Sequence, residues 1–173
     1  MKHLILVRHA KAASERQGLD DWHRPLADRG QSDAKRLGSA LADQDVMPDS
    51  LMSSSAIRAS STAHHLACAL GFPEAEIISD HDLYTFDERE LLRAIQALPT
   101  PDATVLLVGH NPACHAVCEI LTGVRMDGFV TCGAAIMDLD VGAWREVGPS
   151  CGSLTAFLGR LTQRRRPTTR GSR

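Results

Sequence analysis

The chain has 173 residues, enough for one well-cored domain and short for two. With 43% hydrophobic and 23% charged residues it has the composition of an ordinary soluble globular protein, and no apolar run approaches a membrane span or a signal-peptide core. The net charge of −2 is unevenly spread: residues 160–173 hold six arginines and no acid, while the preceding 159 residues, with 13 basic against 21 acidic side chains, carry −8. Such an acidic body is a poor general nucleic-acid binder.

The chain divides accordingly into a domain over residues 1–159 and an arginine-rich extension over 160–173, which reads as solvated and disordered. Five cysteines (Cys68, Cys114, Cys118, Cys132 and Cys151) form no C-x-x-C pair, which suits free thiols in a reducing cytoplasm. Cys114, His115 and Cys118 raise the question of a metal site. The apolar spacing around them points instead to buried structural thiols, and no metal or cofactor is expected.

Leu4–Ala10 opens the chain with four consecutive aliphatic residues followed by Arg8 and His9. This pattern predicts a strand buried on both faces that delivers two polar side chains to its C-terminal edge, where open α/β sheets bind ligands. Residues 10–28 read as a long loop containing Arg24-Pro25-Leu26. From Gly30, the spacing of Ala34, Leu37, Gly38 and Leu41 predicts a helix ending before Pro48, followed by a short strand at 50–53.

Ser53–Ser55 are placed to cap a second helix, with Ala59, Thr62, Ala63, Leu66, Ala67 and Leu70 on one face and Gly71 as its stop. Arg58 falls in its first turn, against the helix dipole. Either it is an exposed arginine with a small penalty, or an anion bound at the helix N-terminus reverses that penalty.

A short strand near Ile77-Ile78 and an acidic loop lead to a third helix marked by Leu91, Leu92, Ile95 and Leu98. Thr104–His110 repeats the opening design, a fully apolar strand ending in a histidine, and Asn111-Pro112 begins a fourth helix. Ala134–Asp140 and Ala143–Val147 read as a hairpin across Val141-Gly142. The whole predicts an α/β fold, a three-layer α/β/α sandwich with a mostly parallel central sheet and an antiparallel edge.

Arg8, His9, Arg58 and His110 thus converge on one crevice, and so many potential cations beside helix N-termini call for an anionic occupant such as a phosphoryl group. The sequence has no G-x-x-x-x-G-K-[ST] loop and no acidic pair that marks a two-metal site. A histidine nucleophile that forms and loses a phosphoryl group in two steps remains, with arginines and a protonated second histidine stabilising the equatorial oxygens.

The motif order Leu-Val-Arg-His-Ala, Arg24-Pro-Leu with Gly30, Ser-Ala-Ile-Arg58-Ala-Ser-Ser-Thr-Ala, Leu83-Tyr84 and Gly-His110-Asn-Pro resembles the histidine phosphatase (phosphoglycerate mutase-like) superfamily, and within it the small SixA-like phosphohistidine phosphatase branch. The resemblance spans about residues 2–148. It implies that His9 is the phosphorylated nucleophile, that Arg8, Arg58 and His110 contact the phosphate, and that Arg24 lies near the pocket.

Two departures stand out. Ala10 replaces the glycine of the family's Arg-His-Gly motif, and Asn111 stands where some relatives carry an acid beside the second histidine. The other candidates for a proton donor are Asp82, Asp87 and Glu88. A site without a donor suits N–P bonds, because phosphohistidine can leave as neutral imidazole whereas an alkoxide needs a proton. The expected substrate is therefore phosphohistidine on a signalling or phosphotransfer protein. The rivals are a small-molecule phosphate ester and a non-catalytic phosphate-binding module; a mutase fits least, for want of insertions. No nucleic-acid or membrane partner is expected, and the oligomeric state is open.

Overall fold

The computed structural model describes residues 1–14 and 20–159. Six strands form one sheet: β1 (Lys2–Arg8), β2 (Ser50–Ser54), β3 (Ile78–Asp80), β4 (Thr104–Gly109), β5 (Ala134–Leu139) and β6 (Gly152–Leu158), in the order β3-β2-β4-β1-β5-β6. The first four are parallel; β5 runs antiparallel to β1, and β6 antiparallel to β5. The fold is the predicted three-layer α/β/α sandwich with an antiparallel edge.

Alternation along the two central strands builds both cores. Leu4 and Leu6 of β1, with Val105 and Leu107 of β4, pack with residues of α3 (Glu88–Gln96) and α4 (Ala113–Thr122). Ile5, Val7, Leu106 and Val108 point the other way, toward α1 (Asp28–Ala42) and α2 (Ile57–Leu70). Each such side chain gains roughly 1.5–3 kcal/mol from burial. Apolar residues on both faces do not by themselves set the register, so the polar ends do: Lys2 Nζ donates to the carbonyls of Thr100 and Asp102, and a one-residue shift would drag Arg8 toward the core.

The helices follow their spacing. Gly30, Ala34, Leu37, Gly38 and Leu41 are the buried stripe of α1, and Gly71 closes α2 with left-handed backbone at φ 66°. No described helix is long and apolar enough to cross a membrane.

Two local expectations are corrected. Ser53–Ser55 do not cap α2: Ala56 holds the cap position without a side-chain bond, and Ser53 and Ser54 are buried at the end of β2. Ala143–Val147 is not the second arm of the hairpin. Trp144–Glu146 forms a 3-10 turn, and β5 pairs instead with Gly152–Leu158. Trp144 is fully buried and donates its indole N–H to Asp102 O at 2.8 Å, so an aromatic in a short alternating run serves the core from a turn.

Cys114 and Cys118 lie on the buried face of α4, while His115 faces the Met126 carbonyl, 3.2 Å away; no group of side chains spaced to hold a metal occurs among the described residues. All five thiols are unpaired. The extension at 160–173 lies outside the described residues.

Candidate active site

The C-terminal ends of β1 and β4 are neighbours in register, with Arg8 opposite Gly109, so the residues that follow each strand emerge side by side. His9 and His110 face one another with ring centroids 5.0 Å apart. The Arg58 guanidinium enters between them from the first turn of α2, only 3% exposed, with Nε 3.3 Å from His9 Nε2 and Nη2 3.4 Å from His110 Nδ1.

The hydrogen-bond partners assign both tautomers. His9 Nδ1 lies 2.7 Å from the Ala10 carbonyl, which can only accept, so Nδ1 carries the proton and Nε2 presents a lone pair. His110 Nδ1 faces a guanidinium, which can only donate, so its proton sits on Nε2 and goes to Ser54 Oγ at 2.8 Å. Burial, reinforced by neighbouring cations, holds both rings neutral: His9 is lowered to about 4 and His110 to about 3. Burial among these neighbours therefore disfavours the imidazolium form of His110 that the sequence reading assigned. A bound phosphate would be the charge that favours its protonation.

Arg8 is held by Nη1 to Phe129 O at 2.8 Å, and the same carbonyl accepts from Asn111 Nδ2 at 2.9 Å. Asn111, in the position of some relatives' acid, thus helps anchor the loop that orients Arg8. The Arg8 Nε–H is buried without a protein acceptor.

A cavity of about 450 Å³ opens above His9, lined by Arg8, Lys11, Arg24, Arg58, Asp21 and Phe86 among others. Four cations and one carboxylate around a neutral imidazole make an anion site suited to a phosphoryl group. His110 lies beneath it, 1% exposed. Arg24 reaches the rim, where Nη1 donates to Asp21 Oδ1 at 3.0 Å and Nε and Nη2 hold Ala13 O.

Asp21 is the residue that the sequence reading passed over. Its Oδ2 accepts from Arg58 Nη2 at 2.7 Å and from the Tyr84 hydroxyl at 2.8 Å, and its carbonyl accepts from Arg58 Nη1. Of the two readings of Arg58, the exposed one is wrong. The anion opposite its charge is this carboxylate, 37 residues away in sequence.

Burial works to raise Asp21, but the bonds from Tyr84 and Arg58 outweigh it and leave the carboxyl below its ordinary range. The other acids are elsewhere. Asp87 caps α3, accepting from the Arg89 and Glu90 amides; Glu88 is in the first turn of that helix; and Asp82 lines a separate groove of about 600 Å³ that includes neither His9 nor Arg58. Gly30 is fitted to the loop beneath the cavity, since a Cβ there would stand 2.1 Å from Lys11 O.

Residues 4–89 match the histidine phosphatase superfamily (branch 1). The chain belongs to this superfamily. As a histidine phosphatase it is a phosphoric hydrolase. Its fold superposes with a TM-score of 0.76 on a candidate phosphohistidine phosphatase SixA of Agrobacterium tumefaciens, at 29% identity over 92% of this chain and 99% of the other.

A protein histidine phosphatase SixA solved with tungstate gives the same score at 23% identity, over 90% and 96% of the two chains, a likeness of fold. An uncharacterized chloroplastic protein of Arabidopsis thaliana is 28% identical over 84% of this chain and 70% of its own length. An uncharacterized Mycobacterium tuberculosis protein is 29% identical over 87% and 98%.

Proposed function

We propose that this histidine phosphatase removes the phosphoryl group from phosphohistidine on another protein through a covalent intermediate on His9. The observation that carries the reading is the His9 tautomer: with Nδ1–H tied to Ala10 O, the neutral Nε2 lone pair faces the arginine-lined cavity. Nε2 attacks phosphorus as the substrate's N–P bond breaks, and water then cleaves the new N–P bond, releasing inorganic phosphate and restoring His9. Arg8 and Arg58 neutralise the equatorial oxygens, and His110 supports them from below.

The substrate class follows from what surrounds the nucleophile. The one acid lining the cavity among the described residues is Asp21, which its donors hold ionised, so it has no proton to give an alkoxide. Imidazole leaves without one. The likeness to the Agrobacterium SixA protein over nearly the full chain agrees, and the cavity is open enough to admit a side chain borne by a partner. Unpaired thiols, three of them buried, suit work in a reducing cytoplasm.

The test is phosphate release from a phosphohistidine-bearing protein and from an alkyl phosphate, without added metal. Release from phosphohistidine that is far faster than from the ester, and lost in His9→Ala, is the expected result. Preference for the ester would make a small-molecule phosphatase the better reading. No turnover of either would make the domain a phosphate-binding module.

A further inference from the structure

Two side chains at the mouth of the His9 cavity have no part in gripping a phosphoryl group. Phe86 is 46% exposed, with its ring centroid 5.3 Å from that of His110 and 5.6 Å from that of Tyr84. An aromatic face half in water, in a cavity whose charged lining is mainly cationic, is suited to stacking on a planar group. Asp21 is the second, its side chain 43% exposed. A carboxylate facing the cavity repels the dianion, so beyond its hold on Arg58 it adds nothing to the grip on phosphate. Its two oxygens offer about four acceptor positions. Tyr84, Arg58 and Arg24 take three of them.

We infer that Phe86 and Asp21 form a leaving-group subsite for an imidazole ring, Phe86 covering the ring face and Asp21 accepting the N–H of the nitrogen that does not carry phosphorus. The inference rests on the phosphohistidine reading above and deepens it. Phosphohistidine with its distal nitrogen protonated is the reactive form: when His9 Nε2 bonds to phosphorus, the N–P electron pair returns to the ring, which departs as neutral imidazole still holding its single proton. A carboxylate beside the distal nitrogen favours that proton and so keeps the substrate reactive above the pH at which the ring would lose it. For an ester oxygen the same carboxylate does nothing. Among the described residues, Arg58, Arg24, Tyr84, Arg8 and Lys11, with the neutral His9 and His110, are the other titratable or charged groups that line the cavity or act on Asp21.

The test compares kcat/KM from pH 5.5 to 8.5 for wild type, Asp21→Asn and Phe86→Leu, on a phosphohistidine protein, phenyl phosphate and an alkyl phosphate. For Asp21→Asn, the loss on phenyl phosphate is expected to be the same at every pH, reflecting the weakened hold on Arg58. The loss on phosphohistidine is expected to grow by tenfold or more across the range. Phe86→Leu is expected to raise KM several-fold for both aromatic substrates and not for the alkyl ester. Equal, pH-independent losses on all substrates would overturn the subsite and leave Asp21 as a positioning residue for Arg58. An unchanged KM in Phe86→Leu would remove the ring contact. Wild type that cleaves esters but not phosphohistidine would overturn the substrate reading itself, and the subsite with it.

Discussion

Arg58 Nε lies 3.3 Å from His9 Nε2, so the guanidinium donates to the lone pair that has to attack phosphorus. The same guanidinium reaches Asp21 and His110 through Nη2. Its planar fork keeps the imidazole, the carboxylate and the second histidine in one register, and a phosphoryl group arriving above His9 would take over the Nε–H. Lysine offers a single mobile ammonium and cannot reproduce these bonds. Arg58→Lys is expected to reduce kcat/KM by at least about 100-fold, a loss on the scale of a missing transition-state donor. His9→Gln is expected to remove turnover and, in reactions with labelled substrate quenched in alkaline detergent, the alkali-stable, acid-labile phosphoenzyme as well. A labelled protein surviving in His9→Gln would place the nucleophile elsewhere.

The depressed histidines set the pH behaviour. His9 stays neutral down to about pH 4, so kcat/KM corrected for substrate ionisation should hold its plateau well below the 6.5 of a free histidine and fall only as pH approaches 4. Stability has the matching sign. Between about pH 6.5 and 4 the unfolded chain protonates both rings and the folded one does not, so stability falls as pH falls, by at most about 1.4 kcal/mol per pH unit for each ring. Urea unfolding at pH 7 and pH 5 measures it, and the difference should shrink in His110→Gln.

Ser54 is the hidden support of the second histidine. Its Oγ accepts the His110 Nε2–H in a fully buried setting, and alanine would leave that donor unpaired. Ser54→Ala is expected to cost about 1–3 kcal/mol in stability. It should also lower kcat more than it raises KM, because His110 would lose its orientation beneath the phosphoryl group. Thermal melting and steady-state kinetics on the same preparation separate the two effects.

Gly30 tests the loop. With Lys11 O in the space of a Cβ, Gly30→Ala must push α1 from the 10–13 segment, which lies beside the cavity and includes Ala12, bridged to Leu26. A destabilisation of about 1–3 kcal/mol is expected, the usual scale of overpacking, with a rise in KM as Asp21 and Arg24 shift at the rim. An unchanged melting temperature would show that the loop gives way without cost.

The domain boundary is testable by truncation. Among the described residues the last strand of the sheet ends at Leu158, so a chain ending at Gly159 should fold, melt within a few degrees of the full chain and retain its turnover of phenyl phosphate. Loss of folding would show that residues 160–173 belong to the domain.

What could be read along the chain was whatever chemistry a short run encodes by itself. Leu4–Val7 and Val105–Val108 announce buried strands because four adjacent aliphatics satisfy both faces of a sheet, and the histidines that follow must then emerge at its edge. The α1 stripe, the stop at Gly71 and the three-layer architecture follow from periodicity and backbone preference in the same way. The structure brings Arg8, His9, Arg58 and His110 together as expected, and puts Arg24 at the rim of their cavity.

Tertiary structure decided the rest, because those contacts join residues with no local relation. Asp21 reads as one loop acid among several until the fold sets it against Arg58, 37 residues on, and Tyr84, 63 residues on. Ser54 looks like a helix cap until β2 and β4 pair and bring it against His110. Trp144 looks like a strand residue until the core beside Asp102 takes its ring. The neutral state of both histidines is the clearest case. Residue type alone would allow either charge, and it is burial beside two arginines that removes the proton.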